Sequence, residues 1–515
     1  MHQALRFLPA AALAAVLSAQ TDYDFDKTTP GTLGASLGLW VRNAPANALL
    51  LSMPSFTAGP TPIALVDPGD PRSLSIGLDM TSAWSFRTAD ASGAAPISLA
   101  LPANPALSGM ILHWQTAALP GIARLVGPIG NDIVASVGAA GAAVPLAGRL
   151  TAARALAAVC RDADNNQGQG DVVIAGGGSG GLLGGVGLSS SEVWDFRHIS
   201  VRPGPGLTSA RALHAAVELS DGRTLLIGGV DAIGTVLASC EIYDPATNSF
   251  APTGSLSVPR VLHAACRLAN GRVLVAGGTT SLADLTAAVT NVQSSCEIFD
   301  PATGTWSAAA ALSGRRLAVA LSPLPNGLAM ASGGVQIGFL FGIPISATST
   351  TAVQFYNPAT HAWSTGPSMH QGRAGHHDNQ VALANGRILM TGGIVVPSLL
   401  NAANAYPTNG AEYYDPATNS WTVVNMAAAR SLHTASRLPD GTVVVCGGAQ
   451  GTLTAPVPIA SVERFLPATS TWIQLAPLST PRASHSAIVQ PDGLLVLFGG
   501  QGPLATLDSI EVLHF

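Results

Sequence analysis

The ten residues "EIYDPATNSF" at 241–250 return as "EIFDPATGTW" from 297, "QFYNPATHAW" from 354 and "EYYDPATNSW" from 412. A chain that rewrites one phrase at intervals of 49 to 59 residues is building one supersecondary unit many times, and each unit needs its neighbours to cover its apolar faces. Two more fixed points lie upstream of the phrase. One is a Gly-Gly pair closing an apolar run, ending at Gly229, Gly278, Gly334, Gly393, Gly448 and Gly500, with "VVIAGGG" near Gly177 as a seventh. The other is an arginine roughly twenty residues before each pair, at Arg154, Arg211, Arg260, Arg316, Arg373, Arg430 and Arg482. In five units a histidine follows three residues later, at His214, His263, His376, His433 and His485.

Each unit reads as four short strands. The first leaves the Arg-x-x-His region, the second runs into Gly-Gly, the third is the "EIYD" stretch, and the fourth begins at the Trp or Phe. "SDGR", "ANGR" and "PDGT" between the first two strands are tight hairpin turns, with glycine supplying positive φ. "DPATNS" turns the third strand into the fourth, proline fixing one φ. Only 10% of residues are charged, against about 25% in an average globular protein, and 56 are glycine, as a turn-rich all-β chain requires. Four-stranded units of this length are blades, and blades set radially make a propeller.

The Gly-Gly pair, the acidic-aromatic third strand and the Trp beyond it resemble the kelch repeat. The resemblance covers roughly residues 140 to 515 and implies a seven-bladed kelch-type β-propeller, six blades with an incomplete unit being the alternative. Some units depart from the pattern: Ala157 and Val319 replace the histidine, Gln354 replaces the Glu, and Leu466 replaces the Asp. The last unit stops at its third strand, "IEVLHF", so its fourth is expected from the segment before Arg154, "NDIVASVGAAGAAVPLAG".

Three parts are expected. Residues 1–19, with Arg6 ahead of an apolar stretch from Phe7 to Leu17, read as a secretory signal peptide, so the mature protein is expected to be secreted or at the cell surface. Residues 20–128 carry short apolar stretches cut by Pro, Gly and Asp, which suggests a small β-sandwich domain. Asp67 and Asp70 in "VDPGDP" read as turn residues. Residues 129–515 form the propeller. No other stretch holds 18 consecutive apolar residues, so no membrane span is expected. The net charge is −5 and Lys27 is the single lysine, which argues against a nucleic-acid partner. Five cysteines, four of them at matched repeat positions, suggest either one buried slot per unit or disulfides between neighbouring units.

A residue present in every blade serves the architecture, whereas a ligand breaks rotational symmetry and meets residues that differ. Variation concentrates in the second-to-third connections, such as "VQIGFLFGIPISATSTTAV" and "IVVPSLLNAANAYPTNGA", which share one face of a propeller. That loop face is the expected binding mouth, with Phe339, Phe341 and Tyr406 as its aromatics and a protein or other extracellular ligand as partner. The kelch resemblance adds that repeat arginines contribute to an anion-binding mouth, here Arg211, Arg260, Arg316, Arg373 and Arg430, with Arg316 and Arg373 the ones carried forward; the alternative is that each pairs with the repeated Glu of its own blade. The same resemblance brings in enzymes, a copper-radical alcohol oxidase and a sialic-acid mutarotase. The reading is a non-enzymatic binding protein with no cofactor and no metal, the alternative being a mutarotase-like carbohydrate-active enzyme or a glycan-binding module. His377, directly after His376 in "RAGHHDN", lies outside the repeat pattern and is the first place to look for chemistry.

Overall fold

Second strands such as Thr224–Ile227, Val273–Ala276 and Val443–Cys446 are buried at all four positions. Their sequences are apolar runs without alternation because one face packs on the preceding sheet and the other on the following one. The computed structural model describes residues 23–65, 72–119, 126, 129–161, 171–179, 186–341, 343–376, 379–398, 405–452 and 455–515. The expected leader, Asp67, Asp70 and His377 lie outside these residues.

Among the described residues seven four-stranded antiparallel sheets follow one another. Their inner strands are Ala158–Arg161, Ala215–Glu218, Ala264–Arg267, Ala320–Pro323, Gln380–Ala382, Thr434–Arg437 and Ser486–Val489, which define blades one to seven. Inner strands of successive blades lie against one another around a ring, blade seven meeting blade one. Blades four and five are joined there by a hydrogen bond from Ser322 Oγ to Gln380 Oε1 of 2.8 Å. The fold is a β-propeller, all-β as expected.

The repeated decapeptide is turn and seam. In the third-to-fourth turn the Asp244, Asp300 and Asp415 carboxylates accept the N–H two residues on at 2.9 to 3.0 Å, and Asn248, Gly304 and Asn419 take the left-handed conformation the reversal requires. The Trp that follows reaches back one blade: Trp306 Nε1 donates to Gly254 O, Trp363 Nε1 to Ala310 O and Trp421 Nε1 to Pro367 O, at 2.8 to 2.9 Å.

Blade seven is completed by Ala143–Arg149, antiparallel to Ser509–Leu513 with Ala143 opposite Leu513 and Val144 opposite Val512. Arg149 adds an ion pair to Asp508 at 2.6 Å. The strand comes from the expected segment.

Ahead of it, besides the two-stranded pair Ala58–Pro62 and Ser73–Ile76, lie two larger sheets. One has the strand order Gly31–Thr32, Ile133–Gly138, Ile111–Leu119, Leu49–Ser55, Ser85–Thr88, and the other Asp24–Lys27, Ser36–Arg42, Ala95–Ala100. They share a core that includes Phe25, Leu39, Leu50, Trp114 and Ile133. Strand Ile133–Gly138 belongs to this unit, so the sheet runs past the boundary expected at residue 128; its all-buried "IVASVG" had read as propeller sequence.

This unit sits on the propeller face that carries the first-to-second and third-to-fourth turns. Lys27 is buried there, its Nζ donating to Val134 O at 2.8 Å and Phe196 O at 2.5 Å and lying 3.9 Å from the centre of the Phe196 ring. Burial lowers its pKa to about 8, with Asp492 and Asp195 opposing the shift. Asp26 pairs with Arg197 at 3.2 Å, and Ser136 Oγ lies 3.2 Å from His514 Nε2.

Removing residues 1–148 takes away blade seven's outer strand and exposes the edge of Ser509–Leu513. The truncated chain is expected to aggregate or to lose cooperative unfolding, checked by size-exclusion chromatography and thermal denaturation; a monomer with the parent melting temperature rules out this closure.

Candidate functional site

The repeat arginines are built into their blades. Arg211 lies four residues ahead of the inner strand Ala215–Glu218, and its Nη1 donates to Gly228 O at 2.9 Å and Ser239 O at 3.1 Å while Nη2 meets Glu241 at 2.5 Å. Five more blades repeat the pairing, Arg154–Glu192, Arg260–Glu297, Arg373–Glu412, Arg430–Glu463 and Arg482–Glu511, at 2.6 to 2.9 Å. Each glutamate also accepts backbone N–H bonds from the loop ahead of the arginine, as Glu241 does from Thr208 and Ser209. The carboxylate's lone pairs are thus filled, the condition under which a buried pair is tolerated.

Arg373, expected at the mouth as an anion ligand, is therefore buried and engaged by Glu412, Gly392 O and Gly410 O. Its charge is neutralised inside blade five. Arg316 is buried too, but it faces Gln354 Oε1 at 2.9 Å instead of a carboxylate. Desolvation without a counter-charge lowers its pKa to about 10.

The loop face itself is a crown of hairpins. Val335–Leu340 and Ile343–Ser349 rise from blade four, Ile394–Val395 and Tyr406–Pro407 from blade five, and Ala449–Thr452 and Ala455–Pro458 from blade six. Ser349 N donates to Val396 O at 3.0 Å, which joins the first two hairpins. A short helix, Leu285–Thr290, capped by Asp284, packs Val289 against Ile337 and Ala347 of the blade-four hairpin.

Of the three expected aromatics, two are exposed. Phe341 is 95% exposed at the hairpin tip, where its φ of 50° places it in the left-handed region, and Tyr406 is half exposed. Phe339 is instead half buried in the hairpin's own core beneath the Arg315 guanidinium, 4.5 Å from its ring centre. Strand alternation sends Phe339 inward, and a register shift between Gly338 and Phe339 prevents the spacing from revealing this. Sequence reasoning missed Leu340, Ile343 and Ile345, which are exposed beside Phe341. Their signal was present as "FLFGIPI", an apolar run on a loop. The crevice beside Tyr406, lined by Leu432, Gln450 and Pro456 among others, has a volume of about 10 Å³, room for about one water.

The repeat histidines are buried spacers between blades. His433 Nε2 lies 2.8 Å from Thr391 Oγ1 and His376 Nε2 lies 3.2 Å from Ser332 Oγ, each partner belonging to the preceding blade. The five cysteines are buried and unbridged, and burial pushes their thiols up to about 11 or 12.

Residues 211–257 and 260–313 match the family model described as Kelch motif. Kelch domain-containing protein 8B of Rattus norvegicus and that of Mus musculus are each 29% identical over 169 residues, 31% of this chain. The chain spans 45% of the length of these curated relatives. Among solved structures, a fungal alcohol oxidase of the AA5 family in complex with copper aligns over 72% of this chain and 75% of its own, with TM-score 0.51 and 16% identity. At that identity the likeness is one of fold.

Among the described residues no three His, Cys, Asp or Glu side chains gather around a point. The Tyr243, Tyr356 and Tyr414 hydroxyls are turned to the third-to-fourth turns, bonded to Asn248, His361 and Asn419.

Two outcomes follow from the buried groups. Gln354→Glu gives Arg316 the partner its six counterparts have and is expected to raise stability by about 1–2 kcal/mol in thermal or denaturant unfolding, while Glu297→Gln lowers it. Burial pushes His214 and His485 down to about 3 and His514 to about 4. These folded values lie below the ordinary 6.5, so the unfolded chain takes up protons that the native one refuses. Stability therefore falls as pH drops from about 6.5 toward 3 to 4, by up to about 1.4 kcal/mol per histidine per pH unit. Melting temperatures recorded across that range should fall steeply, and less so for His485→Gln.

Proposed function

The chain is a kelch-repeat β-propeller protein, and on that premise we propose that it is an exported binding protein whose loop face docks a protein partner. Kelch repeats point to a propeller used for protein interaction; the face, the residues and the location are our reading. The observation that carries it is the exposed apolar tip of the blade-four hairpin, Leu340, Phe341, Ile343 and Ile345, next to Tyr406 of blade five and Val457 of blade six. Six large apolar side chains held in water on adjacent hairpins exceed the scatter of single exposed residues normal for a monomer, and they suit burial against a protein.

The shape supports the same reading. A crevice for one water cannot enclose a small molecule, whereas a raised apolar rim fits a flat or grooved protein surface. Rigidity adds to it, because the hairpins are bonded to each other and packed on the Leu285–Thr290 helix, so docking orders little that is not already ordered. Export is supported by Arg6 and the apolar stretch from Phe7 to Leu17, and amino-terminal sequencing of the secreted chain tests it. No described helix is long and apolar enough to cross a membrane.

Aromatic anchors dominate such interfaces, with truncations often costing about 2 kcal/mol or more. Phe341→Ala and Tyr406→Ala are each expected to abolish capture of the cognate partner, identified by cross-linking on the parent chain, while shifting the melting temperature little. Changes in the turn at residues 415–420 should lower stability and leave affinity intact. Retained affinity in Phe341→Ala, Tyr406→Ala and their double variant sinks the assignment of this face.

A further inference from the structure

The seven inner strands end in register on the turn face, opposite the crown of hairpins. There the repeat stops repeating. Blades one, three and six end in Arg161, Arg267 and Arg437, blade two ends in Glu218, and the remaining three end in uncharged residues. Each of these four aligns with the first residue of its neighbouring second strand, as Arg267 does with Val273 and Arg437 with Val443, so they occupy one level of the ring.

This level borders a broad concavity. A cavity of about 670 Å³ is lined by Glu218, Ser220, Arg267 and Asn270 with an apolar wall of Leu268, Leu324 and Leu328. It shares Glu218, Arg267 and Pro323 with a second of about 330 Å³ that enters the channel past Ala216, Ala265 and Leu321 to Gln380 and Ala382. Arg437 Nη1 donates to Ala382 O at 3.2 Å, which sets its guanidinium at the edge of the inner cavity, and Arg161 lies 3.5 Å from Val489 O. Volumes of this size suit a small organic ligand.

The charge there is left open. Elsewhere on the surface Arg149, Arg202, Arg223, Arg272, Arg387 and Arg464 each pair with an aspartate. Arg161, Arg267 and Arg437 form no ion pair among the described residues, although Glu218 and Arg267 line the same cavity. Among the described residues that end the inner strands, three guanidiniums stand against one carboxylate, a local excess of positive charge that favours an incoming anion. Guanidinium forks match carboxylate and phosphate oxygens.

We propose that the turn-face mouth of the channel binds a small organic anion carrying at least two oxyanion groups, held by Arg267 and Arg437, with Glu218 setting an upper limit on its charge. This site is independent of the protein-docking face and lies at the other end of the channel.

Isothermal titration of the full chain at low ionic strength with citrate, with pyrophosphate and with sucrose as a neutral control tests it. Saturable binding of either anion is expected, weakened by added salt and absent for sucrose; the tighter of the two tells whether carboxylates or phosphates are preferred. Arg267→Gln and Arg437→Gln should each weaken binding at least tenfold with the melting temperature preserved, Glu218→Gln should tighten it, and Phe341→Ala should leave it unchanged. No heat with either anion at millimolar concentration overturns the proposal, as does binding that both arginine variants retain.

Discussion

One backbone contact recurs at every junction between blades. The N–H of the second glycine in every Gly-Gly pair donates to the carbonyl of the following blade's repeat arginine at 2.8 to 3.0 Å, from Gly177 to Arg211 round to Gly500 and Arg154. A Cβ on the first glycine of each pair would lie 2.3 to 2.7 Å from that same carbonyl, and both glycines have positive φ, so no other residue fits. The arginine side chain then returns to its own blade, bonding the first glycine's carbonyl and the third-strand glutamate. One residue thus ties two blades through its main chain and braces one through its side chain.

That economy explains why the fold was legible. Residues fixed by such a contact must recur wherever the contact recurs, so Gly-Gly, Arg and the decapeptide gave the strands, the turns and the source of the closing strand. Blade four shows the tolerance of the scheme, since Gln354 keeps the hydrogen bond to Arg316 and forgoes the charge. The site was less legible. Repetition marks scaffold, but variation marks only what is free to vary, and it pointed to the long loops because they vary in length. The variation at the last residue of the inner strands is a change of letter within fixed length, visible only once the register is known. Phe339 was misplaced for a similar reason, an irregularity in pairing that reverses which side chains face out. For Arg373 the repeat left two readings open, an anion ligand or a partner of the blade glutamate, and the 2.8 Å contact with Glu412 decides for the second.

The amino-terminal unit repeats the lesson at the level of single residues. Lys27 entered the sequence reading as the near-absence of lysine, a reason to set nucleic acid aside. In the structure it is one of the contacts between the two parts of the chain, held by Val134 O of its own unit and by Phe196 O and the Phe196 ring of blade one. Its partner His198 region is equally specific, with His198 bridging Asp195 of blade one and Asp132 of the preceding unit and raised by them to about 10.

The pairing of Ala143–Arg149 with Ser509–Leu513 also has a mechanical meaning. Because the two strands are antiparallel, residue 143 and residue 513 lie side by side, and chain leaves the clasp in both directions at that same end. Tension drawing these two exits apart loads the ladder one rung at a time, like a zip, and never all rungs together as shear would. The seam therefore yields more readily to tension applied in this way than to shear, and the contact of Ser136 with His514 lies just outside its first rung.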